Sequence, residues 1–179
     1  MAIATEQTGH SALVGGAQTA LHSHAGGAGE AEIVLVTTAD VTNATITFAN
    51  VTGLTFSMLA SKTYIIEAWL IFQSSAIATG AKFALNGPAS PVAVVLQAVI
   101  PIALTLYASS PTMASRAYDT GTPSVSIDTA NANMLAMLHG IVRNGTTAGT
   151  LAVRFACEAA TSPGVTVKAG SVLRYRQVD

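Results

Sequence analysis

The sequence predicts an all-β protein: a jelly-roll-type β-sandwich, preceded by a flexible or extended N-terminal arm. Three observations carry that expectation. From Ile33 onward apolar residues recur with a period of two, which is the strand period. Short Gly-, Pro- and Asn-containing stretches separate these runs, and none of them sustains a helical period over several turns. Charged residues make up only 9% of the 179-residue chain, against 50% apolar, whereas ordinary soluble domains carry about 25% charged residues.

Residues 1–30 are rich in Gly, Ala, Ser and Thr, and their large apolar residues, among them Leu13, Val14 and Leu21, stand isolated. Such a stretch has no core of its own and reads as an arm, a partner-binding tail or the start of a stalk. Residues 31–179 read as the sandwich. "EIVLVTT" is its first strand. "NATITFANVTGLTFSML" reads as two short strands, with Asn50 and Gly53 bracketing a turn. "KTYIIEAWLIFQSS" is the strongest strand: Tyr64, Ile66, Ala68, Leu70 and Phe72 share one face, and Ile65, Trp69 and Ile71 share the other with Glu67 and Gln73. A strand of an ordinary two-layer sandwich buries one face and wets the other. Apolar residues on both faces therefore call for a second partner.

"GAKFALNGPASP" is a short strand running into a Gly-Pro turn. "SPVAVVLQAVIPIALTLYASS" approaches the length of a membrane span. Gln97, Pro101 and the β-branched residues instead favour two buried strands divided by a bend at Pro101, so no membrane span is expected. "SSPTMASRAYDTGTPS" reads as a loop with a short strand near Arg116 to Tyr118. "ANMLAMLHGIVRNGTTAGTLAVRFACEAA" reads as a hairpin turning at residues 144–149. Its first part resembles one turn of helix, but Gly140 and the following Ile-Val favour a strand. "PGVTVKAGSVLRYRQVD" closes the chain as a second turn-bounded pair around Ala169 and Gly170. Roughly eight to ten strands with short turns suit a sandwich or a barrel, and spacing alone fits both.

Several function classes find no support. The acids form no paired-carboxylate or triad pattern, so no enzyme is expected. Eight Lys and Arg are dispersed and the net charge is −1, which is no footprint for nucleic acid. The Gly-rich "VGGAQ" and "GGAGE" lack the Lys-Ser/Thr of a phosphate loop. "MAIATEQTGH" has neither the basic nor the apolar part of a secretory signal. Cys157 alternates with Leu151, Val153 and Phe155 and reads as a small buried hydrophobe. Asn43 and Asn144 match the glycan-acceptor pattern and are taken as unmodified. Glu67 or Glu158 either pairs with Arg154 or Arg174 or points to solvent between strands.

Two features point to association instead. With so few charges, a monomer has little to cover its surface, and the simplest solution is contact with further copies. His22 and His24 lie on the same side of an extended chain. Around a three-fold axis that pair becomes six donors, enough for octahedral Fe or Ni; the alternative is two solvent-exposed histidines. His139, beside Met137 and Ile141, reads as packed or hydrogen-bonded.

"HSALVGGAQTALHSHAGG" resembles the His-punctuated N-terminal arms of tailed-phage fibre and head- or tail-associated proteins. "YIIEAWLIFQS", "GTLAVRFACEAA" and "VTVKAGSVLRYRQV" resemble the central, penultimate and closing strands of the small trimeric jelly-roll modules of those virions, similar in outline to tumour-necrosis-factor and C1q-type heads. The resemblance implies a non-catalytic homotrimer with Tyr64, Ile66, Trp69, Phe72, Phe155 and Tyr175 at the subunit contact. It also implies particle anchoring through Leu13, Val14 and Leu21. The implied role is capsid decoration on the virion surface, after assembly in the host cytoplasm. The implied partner is the major capsid protein, or a tail or head-tail protein. The tip of a short tail fibre or head fibre, binding a receptor or glycan, is the alternative. A glycan-binding module would use Trp69, Tyr107, Arg116, Tyr118 or the loop at residues 109–124, although Trp69, within the strongest strand, is expected to be structural.

Overall fold

A computed structural model of the chain describes residues 32–101, 117–121, 126–161 and 163–179, and the backbone alone at 109–111. These residues form strands and no helix: β1 (Ile33–Val36), β2 (Val41–Asn43), β3 (Ala49–Met58), β4 (Thr63–Ser74), β5 (Ala81–Asn86), β6 (Ala93–Pro101), β7 (Ser109–Pro111), β8 (Met134–Arg143), β9 (Gly149–Cys157), β10 (Val165–Val167) and β11 (Val172–Gln177). Residues 1–31 lie outside the described residues, and with them the expected arm, Leu13, Val14, Leu21, His22 and His24.

Two antiparallel sheets make a sandwich. The larger runs β1-β11-β4-β8-β6-β7, with β10 bridging β4 and β2, and the smaller runs β3-β9-β5. The chain changes layer between β2 and β3, β3 and β4, β4 and β5, β5 and β6, β8 and β9, and β9 and β10, while the first strand pairs with the last. That wiring is of the jelly-roll type. Strict alternation along β4 sends Tyr64, Ile66, Ala68, Leu70 and Phe72 inward, each almost wholly buried. They meet Leu54, Phe56 and Met58 of β3, Phe83 and Leu85 of β5, and Leu151, Val153 and Phe155 of β9 in one core. Phe72 and Phe83 make an edge-to-face contact, ring centres 5.3 Å apart. Cys157 is buried, its Sγ donating to the Asn43 carbonyl at 3.0 Å, and burial pushes its thiol pKa up. Asn43 and Asn144 are both buried with their side chains hydrogen-bonded, which leaves no acceptor free for a glycan.

Three expectations differ from the structure in instructive ways. β3 is one strand where two with a turn were expected. Its register slips between Asn50 and Thr55, and Gly53 sits there at φ +88°, so the extra residues are absorbed as a bulge. β6 is the first of the two strands expected around Pro101: it places Val94, Leu96, Ala98 and Ile100 inward and ends at Pro101. The second strand expected beyond Pro101, at 102–108, lies outside the described residues, as does Arg116 of the expected short strand; Tyr118 stands in a turn.

β8 and β9 do not form a hairpin: β8 lies between β4 and β6, and β9 lies between β3 and β5 in the other layer. Residues 144–148 are a corner between sheets. Asn144, wholly buried, holds it. Its Nδ2 donates to the carbonyls of Leu59 (2.8 Å) and Thr147 (2.9 Å), and its Oδ1 accepts from Gly145 N (2.9 Å).

Finally, β10 and β11 do not pair with one another. They lie end to end along β4, β10 opposite Phe72 to Ser74 and β11 opposite Tyr64 to Trp69. Residues 168–171 loop out between them, and the buried Ser171 hydroxyl closes the gap, accepting from Ile71 N at 2.9 Å and donating to the Lys168 carbonyl at 2.9 Å. Asp40 fastens the loop from outside, bonding Lys168 Nζ and Ala169 N, and the lysine beside it holds its carboxyl below the usual range. Ser171→Ala leaves Ile71 N without its acceptor and is expected to lower the unfolding free energy by about 1–3 kcal/mol, measurable by urea titration.

Candidate functional site

The two outer faces of the sandwich differ in kind. On the smaller sheet, β3 presents Asn50, Thr52, Thr55 and Ser57, which water can solvate. The β5 side is closed by the chain itself, because residues 117–121 lie along it with Asp119 N donating to the Leu85 carbonyl at 2.8 Å. There the Asp119 carboxylate bonds Arg154 at 2.6 Å and Asn86 Nδ2 at 2.6 Å, and Arg154 also donates to the Phe48 carbonyl. Ala84, Ala152 and Ala156, opposite Arg154, Asn86 and Lys82 in the register of this sheet, are buried.

The larger sheet has no such cover among the described residues, and its outward face is apolar. Register places the side chains in rows running across the strands. One row is Arg176, Ile65, Ile141 and Val95. The next is Val34, Arg174, Glu67, His139 and Gln97. A third is Val36, Val172, Trp69, Met137 and Val99. Beyond it Ile71 stands opposite Leu135. Val34, Val36, Val95, Leu135 and Ile141 are each between 47% and 52% exposed. A single polar row thus crosses an apolar surface.

That row is internally paired at one end. Arg174 Nε donates to Glu32 at 2.9 Å and its NH2 nitrogen donates to the second Glu32 oxygen, while its NH1 nitrogen lies 3.6 Å from Glu67. The hydrogen bonds that Arg174 donates to Glu32 raise its pKa above the ordinary arginine value. The guanidinium also lies over the Trp69 ring, 5.4 Å from its centre. Of the pairings open in the sequence, Glu67 with Arg174 forms, and Arg154 is taken by Asp119. Beside the row is an open depression of about 380 Å³ lined by Glu32, Ile65, Glu67, Arg174, Tyr175 and Arg176.

The structure redistributes the expected contact residues. Tyr64, Ile66, Phe72 and Phe155 are at most 2% exposed within one chain and have no surface left for a partner. Tyr175 also points inward and stacks on Phe56, ring centres 3.6 Å apart. Trp69 alone of the six faces outward, half-buried. The residues that can meet a partner are its neighbours Ile65, Ile71, Val95, Leu135, Met137 and Ile141. Apolar residues on both faces of "AVVLQAVIP" and "MLAMLHGIV" were the signal for four of them, the signal already visible in β4.

The residues named for a glycan site are not brought together. Tyr107 and Arg116 lie outside the described residues. Tyr118 is on the opposite flank from Trp69, against Gly87, and burial pushes its phenol up to about 12. Among the described residues no group of three or more His, Cys, Asp or Glu could hold a metal, and no helix is long and apolar enough to cross a membrane.

No protein-family model matches the chain, and no curated protein sequence matches it. Solved structures give only distant, β-rich likenesses. The structure of infectious bursal disease virus Gt strain superposes with 12% identity over 84% of this chain and 43% of that one, at a TM-score of 0.22. The VP2 subviral particle of the same virus gives 11% identity over 84% and 42%, also at 0.22. The Gx strain gives 17% over 83% and 40%, again at 0.22. The chain spans about two fifths of the length of these capsid chains, and so low a TM-score carries no argument about function. The chain is thus a β-sandwich with weak structural similarity to a viral capsid protein.

Proposed function

We propose that this protein is a non-enzymatic structural component of a tailed-phage virion. In this reading it is a homotrimeric decoration protein that attaches to the capsid shell through residues 1–30. The outward face of the larger sheet carries the proposal. Five strands about 4.8 Å apart and rows about 7 Å apart give a largely apolar patch of roughly 500 Å² in plan. The largest patch on a typical monomer is about 300–600 Å², and one partner in a standard interface contributes about 800 Å². The patch therefore lies in the upper part of the range for a monomer and, crossed by one polar row, approaches what self-association needs. The resemblance of the arm and of the three strand motifs to phage modules supports the virion context and the three-fold arrangement. A trimer multiplies each weak arm contact through effective concentration.

Sedimentation of the purified chain, followed by imaging of particles mixed with it, tests this. The expected result is three times the chain mass and density at regular positions on the shell. Removing residues 1–29 is expected to leave the trimer and abolish particle binding. A monomer at micromolar concentration overturns the assembly; full decoration by the truncated chain overturns the anchor.

A further inference from the structure

Of the four edges of the two sheets, three are closed by the chain itself. Residues 117–121 line β5, with Asp119 N donating to the Leu85 carbonyl and Gly121 against the Phe83 carbonyl. The β1–β2 edge of the larger sheet meets β3 of the smaller, where Gly53 stands against Val36 and Thr37. The β6 edge is different. β8 pairs β6 along one side, but on the other β7 covers only Val99 to Pro101. Among the described residues, nothing pairs Val92 to Ala98 on that side.

An open edge presents unpaired N–H and C=O groups that another strand can complete, and proteins that keep such an edge single place charge, proline or a bulge within it. Residues 92–98 contain none of these. The register with β8 runs without a slip from Ala93 to Val99, and no charged residue occurs between Lys82 and Arg116. Val92 is 61% exposed and Val95 52%. Pro91, which has no N–H, bounds the stretch at one end, and β7 bounds it at Val99 at the other. The stretch is therefore symmetric about Val95.

We infer that β6 pairs antiparallel with β6 of a second copy, joining two larger sheets into one across a two-fold axis at Val95. In that register Val95 faces its own counterpart, Ala93 faces Gln97, and Val94 faces Leu96. Pro91 then falls opposite Val99, where β7 begins. Facing residues lie on the same side of the sheet, as antiparallel pairing requires. The occupant is a second copy because the edge complements itself: equal lengths, no charge to repel, and apolar residues at every position but Gln97. The contact is about 23 Å long and 5 Å wide, far below the roughly 800 Å² per partner of a standard interface. It does not hold copies together in dilute solution. It acts where they already stand side by side, as a link between neighbouring assemblies.

The test uses full-length Ile141→Asp protein, so a failure of the outward-face assembly does not bear on it. Ala93→Cys and Gln97→Cys are prepared separately in that background; both positions are exposed, and Cys157 is buried. Each faces the other and not itself. Mixed at high concentration under mild oxidation, they are expected to link about tenfold faster than either alone, with circular dichroism confirming folding. Hydrogen exchange of the variant without added cysteines is the second readout. Amides of residues 92–98 are expected to slow as concentration rises, while those of β3 stay unchanged. Linking no faster in the mixture than in the separate variants overturns the register. Exchange independent of concentration overturns the pairing. Slowing that requires added particles assigns the edge to a shell protein and overturns it as well.

Discussion

Ile141→Asp is expected to turn the assembly into folded monomers. Ile141 is 50% exposed in the isolated chain and stands between Ile65 and Val95 on the outward face. Its replacement takes little from the core, so the melting temperature of the subunit should barely change. In the assembly the same half-exposed position loses about 1–1.5 kcal/mol of further apolar burial and gains a carboxylate whose desolvation costs a few kcal/mol more. The sum corresponds to at least a hundredfold weaker association, about 2.8 kcal/mol. Sedimentation across a concentration series measures it. Thr52→Asp, on the exposed and already polar face of the smaller sheet, is the control and should leave association unchanged. An Ile141→Asp protein that associates like wild type would show that this face is not the contact.

Asn144→Ala is expected to be the most destabilising single polar change, about 2–4 kcal/mol. It leaves the Leu59 and Thr147 carbonyls without their side-chain donor and Gly145 N without its acceptor, all at a corner with no exposure at Asn144 itself. Each buried group left unsatisfied costs about 1–3 kcal/mol. For a chain of this length 3 kcal/mol corresponds to roughly 6–12 °C in melting temperature. Asn144→Asp should be no milder, since it keeps the bond from Gly145 but turns a carboxylate toward two carbonyl oxygens. Thermal and urea unfolding of both variants measure this. A loss below about 0.5 kcal/mol in either would mean that backbone geometry holds the corner without the side chain.

Much of the sandwich can be read from residue order. β4 shows why: its period of two sorts Tyr64, Ile66, Ala68, Leu70 and Phe72 from Ile65, Trp69 and Ile71, and the structure keeps that division. β1, β5 and β9 lie where alternation and turn residues place them. The turns were read less well. "RNGTTAG" is a fair hairpin sequence, and "KAGS" is another. Neither closes a hairpin, because the deciding hydrogen bonds come from far along the chain: Lys62 and Leu59 for the first, Ile71 and Thr37 for the second. A local turn preference is worth little against several buried hydrogen bonds.

The same limit governed the candidate face. Two-sided apolar strands signal a partner, but the bulkiest residues do not form its surface. Phe72 and Phe155 belong to the core because the smaller sheet lies over them, and Tyr175 belongs there because Phe56 stacks on it. Strand content, the division of faces along β4 and the shortage of charge are properties of residue order, since side-chain alternation and composition need no knowledge of pairing. Which of those faces looks outward, and that His139, Glu67 and Arg174 fall in one row across it, depended on the register of β4, β8 and β11. Such registers join residues 62 to 113 positions apart, where only packing of the whole core selects one alignment over another.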